Sequence, residues 1–313
     1  MKKFILITIG LFTGLYSIAQ QPDNFLVEGN RLIEKGKYKE AIKLFTQAIE
    51  KDNSKEVYFL KRGEAYSEND ELQLAYNDLT QAIKLNNNYA EAYEMRARVF
   101  SVTNMFREAI NDLDMAIKYA PNDTIRLNSM LGRSGEYLAT RNYKGAYNDS
   151  KAVYDADTTN RKAMINMAMS KMHLDEKPEA LEILFKVVRD NPKDTMALQN
   201  IGFIYSGMEK YDSALIYLNK ALSLDPKLPY ILSNLAYVQL KLGNVKDAMK
   251  NINQSIKLLP SNSYAYRNRA LIFIEQGDTK SACEDLNTAI KKGFTDMYGD
   301  EVNDLIDKNC KIK

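Results

Sequence analysis

Small residues recur along this chain at a fixed interval. Gly29, Gly63 and Ala97 stand 34 apart, as do Ala41, Ala75 and Ala109, and Ala48, Ala82 and Ala116. The register slips by three around residues 121–126 and then resumes, with Ala146, Ala180, Ala214, Ala248 and Ala282 again 34 apart. Such a period confines the chain to architectures in which like units stack, because one short unit cannot bury its own apolar face.

Each unit carries two runs of about 14 residues with apolar side chains at helical spacing, each ended by Asn, Asp, Gly or Pro. In residues 41–52, Ile42, Phe45, Ala48 and Ile49 make one such stripe. Small residues at the fixed positions let paired helices approach closely, while a bulky Phe, Tyr or Leu fills the groove beside them. Seven Pro and fourteen Gly in 313 residues argue against a turn-rich, all-β chain, and a 45% apolar content is too high for disorder.

A 34-residue unit with an aromatic, then Leu-Gly, then Tyr, then Ala-x3-Phe, then Pro is the pattern of the tetratricopeptide repeat. This sequence resembles that family over almost all of residues 22–296. The copy starting at 195 carries Leu198, Ile201, Gly202 and Tyr205, then Ala214, Leu218, Ala221 and Pro226. The third carries Tyr93, Ala97, Phe100, Ala109, Leu113, Ala116 and Pro121, and the eighth Tyr266, Ala270, Phe273, Ala282, Leu286 and Ala289. Eight copies start near 22, 56, 90, 127, 161, 195, 229 and 263. The resemblance implies an all-α fold, an α-solenoid wound as a right-handed superhelix of helix-turn-helix repeats. Residues 297–313, with Val302, Leu305 and Ile306 on one side, are expected to form a C-terminal capping helix. Copy four departs from the pattern at Ser150 and Thr158, and copy five at Lys171. With the three-residue insertion, these departures mark the middle as the least regular part, and any hinge is expected there, between 121 and 160.

Residues 1–19 have the form of a secretory signal peptide. Lys2 and Lys3 precede a 13-residue apolar stretch, and Ser17 and Ala19 form a small-x-small site with cleavage before Gln20. The alternative, an uncleaved anchor, needs roughly 18–20 apolar residues, more than this stretch supplies. No Cys lies near the cut to carry a lipid. The expectation is an exported chain, periplasmic or extracellular, with no membrane span after cleavage.

Charge excludes further classes. Lys and Arg number 43 and Asp and Glu 41, a formal charge of +2 that falls to zero once Lys2 and Lys3 are removed. Balanced, interspersed charge offers no footprint for nucleic acid or anionic lipid. One His and two Cys cannot supply zinc-finger spacings, and His173 has no second ligand beside it, so neither metal nor cofactor is expected. No phosphate-binding glycine loop, H-E-x-x-H or G-x-S-x-G is present, and the carboxylates are expected on solvent faces and at helix N-caps. The chain therefore reads as a non-enzyme. A sugar-binding envelope receptor would want a Trp platform and a lipid-bearing Cys, and both are missing.

Cys283 lies in the second helix of the last copy and Cys310 near the end of the cap. A cap folding back would bring them together as a disulfide; otherwise they are two unrelated small buried residues.

In tetratricopeptide-like solenoids, positions 2, 6, 9 and 13 of each first helix face a concave groove that holds extended peptides. Position 6 is Asn in copies five to eight: Asn166, Asn200, Asn234 and Asn268. Asn is roughly half a kcal/mol worse than Ala in a helix, while its amide can grip both N–H and C=O of a peptide backbone. The same stripe carries Met169, Met196, Phe203, Tyr230, Tyr237 and Tyr264, an adaptable apolar lining. In copies two and three it carries Lys61, Glu64, Glu68, Glu91 and Arg98 instead. Asn is also common at this position in the family where no ligand is known, so the ladder stands either as a peptide clamp or as family consensus. The resulting expectation is a scaffold for protein–protein interaction holding a peptide of a protein partner. The alternative is a structural subunit of a cell-envelope assembly whose groove a neighbouring subunit fills.

Overall fold

The computed structural model describes residues 23–310; the expected signal peptide lies outside them. Among the described residues every regular element is a helix. The chain divides into two compact units, Met1–Asn87 and Asn88–Lys313.

In the first unit α1 (Asn24–Glu34) packs on α2 (Tyr38–Lys51), and α3 (Glu56–Glu68) on α4 (Leu72–Leu85). The second unit repeats that pairing: α5 (Ala90–Val102) with α6 (Phe106–Tyr119), α7 (Asp123–Ala139) with α8 (Tyr143–Ala156), and α9 (Arg161–His173) with α10 (Lys177–Asp190). Then come α11 (Thr195–Gly207) with α12 (Tyr211–Leu224), α13 (Pro229–Lys241) with α14 (Val245–Leu258), and α15 (Ser263–Glu275) with α16 (Thr279–Lys291). The first helices α5, α7, α9, α11, α13 and α15 also touch one after another, making a continuous layer.

The 34-residue spacing of small residues has a direct steric cause. A Cβ on Gly29 would stand 2.1 Å from the Phe45 ring, and one on Gly202 would stand 2.6 Å from Leu218 Cγ. Phe45 and Leu218 are fully buried in that gap, sixteen residues after the glycine they cover. The turn inside each pair also repeats. Its pivot is left-handed at Gly36, Asp70, Asn104, Arg141, Asp175, Glu209, Gly243 and Gly277. At Glu209 the following N–H, on Lys210, returns to the Tyr205 carbonyl at 2.9 Å, closing the helix end.

A second periodic feature sits between the paired helices. Arg62, Arg96, Arg133 and Arg269 each send Nε and Nη2 to the two oxygens of the Asp sixteen residues on, Asp78, Asp112, Asp149 and Asp285, at 2.6–2.8 Å. Aromatic rings flank most of these guanidinium groups: Phe59 and Tyr66 for Arg62, Tyr93 and Phe100 for Arg96, Tyr266 and Phe273 for Arg269. The four aspartates are buried. The expectation that carboxylates occupy solvent faces and caps is corrected here, because a bidentate Arg supplies the counter-charge that burial requires.

The region expected to hinge is tied together. The insertion becomes an extra turn at the start of α7, which begins at Asp123 under an Asn122 cap accepting from the Ile125 N–H, rather than at 127. Arg133 binds Asp114 on α6 at 2.6 Å as well as Asp149 on α8. Ser150 is fully buried and donates to the Ala146 carbonyl at 2.7 Å, so it leaves no orphaned hydroxyl. The division between compact units falls at 87/88, outside 121–160.

The terminal segment is two helices rather than one, α17 (Phe294–Tyr298) and α18 (Glu301–Asn309), broken at Gly299 with φ +90°. Phe294 and Val302 are fully buried against Ala270, Leu286 and Ala289. Cys283 on α16 is bonded to Cys310 after α18, with Cα atoms 5.8 Å apart. Arg267 on α15 pairs with Glu301, a further tie between cap and array.

Candidate functional site

In the second unit, the layer of first helices walls a cavity of about 150 Å³. Asn200 and Phe203 come from α11, Asn234 and Tyr230 from α13, and Tyr264 from α15. All five belong to the position-6 ladder and its apolar stripe. Met169, Gln199, Ser233, Asn262 and Tyr298 complete the wall. Tyr298 on α17 brings the cap into the site, and sequence reasoning about repeat positions had no means to place it there.

The four-amide ladder needs correction. Asn268 is fully buried, and both ends of its amide are used. Its Nδ2 donates to the Ser233 carbonyl at 3.1 Å and to Ser233 Oγ at 3.0 Å, while Oδ1 accepts from Arg267 Nη1 at 2.8 Å. Asn166 stands apart from the cavity, and its Nδ2 donates to Ser134 Oγ at 2.8 Å. Position 6 leans toward the preceding first helix, and a serine there captures the amide. The helices preceding Asn200 and Asn234 offer no such hydroxyl: α9 has Ile165 and Ala168 at the corresponding places, and α11 has Gln199 and Gly202. Two of the four amides therefore belong to this cavity, Asn268 belongs to inter-repeat packing, and Asn166, half-buried and bonded to Ser134, lies on a different surface.

Tyr237 lies beside the cavity wall rather than on it. The Arg267 guanidinium sits 5.1 Å from its ring centroid and 5.4 Å from that of Tyr264. Burial opposes the Arg267 charge, but Tyr264, Glu301 and Tyr237 more than offset it, holding its pKa above the ordinary value. Burial raises the Tyr264 phenol, with the Arg267 charge acting the other way. The wall is thus uncharged at its surface and backed by one buried cation.

A second, larger space of about 520 Å³ lies along α5, α7 and α9 and includes Asn166. Glu94 and Glu136 face it, each with its pKa raised chiefly by burial, and Ser101 donates to Glu136. In the first unit Lys61 and Glu64, two charges of the expected stripe, neutralise one another at 2.8 Å. His173 stacks on Tyr143, centroids 4.3 Å apart, as a packing residue. Among the described residues no group of three or more His, Cys, Asp or Glu side chains could hold a metal ion. No described helix is long and apolar enough to cross a membrane.

Comparison with known proteins places these features. Family models described as TPR repeat and tetratricopeptide repeat match residues 29–70, 197–228 and 233–294. No curated protein matches the sequence. Among solved structures, YrrB, a TPR protein with an unusual peptide-binding site, is similar at 22% identity with a TM-score of 0.50, over 60% of this chain and 95% of its own. A chain of the APC/C hetero-tetramer Cut9-Hcn1 is similar at 16% identity with a TM-score of 0.61, over 95% of this chain; this chain spans 57% of its length. Residues 29–70, 197–228 and 233–294 thus carry tetratricopeptide repeats, and the fold is an all-α solenoid.

Proposed function

We propose that this protein is a non-catalytic scaffold that holds an extended peptide segment of a protein partner against the first-helix layer of its second unit. Repeats of this kind serve generally as protein-binding scaffolds, and no catalytic family is indicated. The observation that carries the reading is the meeting of Asn200, Asn234, Phe203, Tyr230 and Tyr264 on one uncharged cavity. Tyr230 is 50% exposed, so its ring is available to a ligand in the free protein. Amides that bind a peptide backbone give grip without sequence preference, and the rings around them give selectivity. The similarity in fold to YrrB, a protein with a peptide-binding site, is consistent with this use of the solenoid.

The test is capture of partners by the mature chain, wild type against the Asn200→Ala/Asn234→Ala double variant. Partners held by the wild type and lost by the double variant support the reading, provided both variants unfold at the same temperature. Partners retained equally by both defeat it. Export belongs to the same proposal: protein from the native host should begin at Gln20, and mass spectrometry finding an intact Met1 would refute that part.

A further inference from the structure

Asn262, on the wall of the same cavity, carries an unmet hydrogen-bonding demand. It is 6% exposed and caps α15, where its Oδ1 accepts the Tyr264 backbone N–H at 3.2 Å. That bond fixes the sense of the amide, since a flipped side chain would set Nδ2 against the same N–H. Nδ2 is left buried without a hydrogen-bond partner. Buried donors in native proteins are almost always satisfied, and a donor left over on a cavity wall is one that an acceptor seated in that cavity can satisfy.

The cavity also specifies what arrives with that acceptor. None of its lining residues carries a charge. The one cation behind the wall, Arg267, is already paired with Glu301, so a charged side chain entering the cavity would leave water with no free counter-ion to meet it. A space of about 150 Å³ takes a benzene-sized guest. Phe203, Tyr230, Tyr264 and Tyr298 surround it with ring faces and edges, the geometry in which aromatic pairs gain beyond simple burial. Tyr230 and Tyr298, 50% and 42% exposed, are the wall's rings open to solvent, where an entering side chain can reach them.

We propose that this cavity is a specificity pocket for one aromatic side chain of the bound peptide, and that Asn262 Nδ2 donates to a backbone carbonyl of that peptide beside it. The proposal rests on the peptide-binding reading and sharpens it. Asn200 and Asn234 hold the chain at any sequence, whereas the ring pocket and Asn262 fix which residue sits there and in what register.

The experiment selects binders from a library of random twelve-residue peptides on the full chain. Their affinities are then measured by fluorescence anisotropy against wild type, Asn262→Ser, Tyr230→Ala and the Asn200→Ala/Asn234→Ala double variant. Asn262→Ser keeps a capping oxygen and removes the amide donor. Selected peptides should share one aromatic position. Replacing that residue by Leu should weaken binding about fivefold. Replacing it by Asp or Lys should weaken binding by about thirtyfold or more. Asn262→Ser should cost about fivefold to tenfold, and Tyr230→Ala should erase the preference for an aromatic over Leu. If Asn262→Ser fails to fold, the peptide series and Tyr230→Ala still decide the matter. Peptides that need Asn200 and Asn234 yet share no aromatic residue, or that ignore both Asn262→Ser and Tyr230→Ala, overturn the pocket while leaving the groove intact. Failure to select any peptide sensitive to the double variant overturns both. Concentration-dependent dimerisation abolished by Tyr230→Ala would make the occupant a second copy of this chain, which also overturns the proposal.

Discussion

Arg133 grips Asp149 with two parallel hydrogen bonds, Nε to Oδ2 at 2.7 Å and Nη2 to Oδ1 at 2.8 Å, and so ties α7 to α8. The same two positions carry Met167 and Ile183 in copy five, Ile201 and Tyr217 in copy six, and Leu235 and Asn251 in copy seven. The chain thus contains its own apolar alternative to the ion pair. Asp149→Ala should destabilise the second unit by about 1–3 kcal/mol, because it removes the bidentate partner and leaves the guanidinium only its single bond to the half-exposed Asp114. The figure is discounted from the full cost of a buried pair because the Arg133 side chain is 19% exposed. Arg133→Met with Asp149→Ile should recover to within about 1 kcal/mol of wild type, since removing both charges also removes their desolvation. Urea melts of wild type, Asp149→Ala and the double variant check this, and a double variant no better than Asp149→Ala would contradict it.

The bond between Cys283 and Cys310 closes 27 residues of sequence separation around the cap. Chain entropy gives such a loop about 3.5 kcal/mol at most. In a stacked array each repeat feels only its neighbours, so the effect should stay local. Reduction, or Cys310→Ser, should speed amide exchange in α17, α18 and α16 and leave α1–α4 unchanged. Val302 and the Arg267–Glu301 pair should keep the cap docked part of the time, so exchange should rise without the helices being lost. Uniform deprotection across both units would rule out a local staple.

Most of the architecture was legible because steric demand repeats every 34 residues: Gly29 under Phe45 and Gly202 under Leu218 leave a mark that no unrelated constraint imitates. The Arg–Asp clasp was equally periodic in sequence but hidden, because a lone Asp in a helix reads as solvated until its partner sixteen residues earlier is set across the turn. The candidate site was legible only in part. Asn166 and Asn268 look identical to Asn200 and Asn234 along the chain, and what separates them is whether a serine stands on the preceding helix. Tyr298 and Asn262 reach the cavity from outside the first-helix stripe, through a break at Gly299 and a helix cap, which periodicity does not encode.

Stability should fall in mild acid through His173. Burial, and then the nearby charge of Arg141, lower its pKa below the ordinary 6.5. As pH drops below 6.5, the unfolded chain takes up a proton that the native imidazole, stacked on Tyr143, refuses, so unfolding becomes easier. The contribution is fully present above 6.5 and declines as pH falls toward the depressed native value. Glu94 and Glu136 act in the opposite sense, since burial raises their pKa values above the ordinary 4.5. The native state then binds more protons than the unfolded state, and their contribution grows as pH falls. Comparing wild type with His173→Phe isolates the histidine term: the difference in melting temperature between pH 7.5 and pH 5.5 should shrink in the variant. An unchanged pH slope would count against a native His173 held neutral by desolvation and the Arg141 charge.

The two classes of Asn should separate cleanly in their mutational behaviour. Asn268 is fully buried with Ser233 and Arg267 on its amide, so Asn268→Ala leaves a buried hydroxyl and a guanidinium N–H short of partners. That loss should destabilise the second unit by about 1–3 kcal/mol. Asn200 and Asn234 make no comparable bond to a neighbouring helix, and Ala is the better helix former by roughly half a kcal/mol. Asn200→Ala and Asn234→Ala should therefore hold or slightly raise stability while weakening a bound peptide. Each lost hydrogen bond is worth about 0.5–1.5 kcal/mol net, so the double change should cost at most about 3 kcal/mol of affinity. Thermal melts and peptide titrations on the same three variants decide the case. If Asn200→Ala destabilises the fold as much as Asn268→Ala does, then Asn200 is a packing residue too, and the clamp loses its first member.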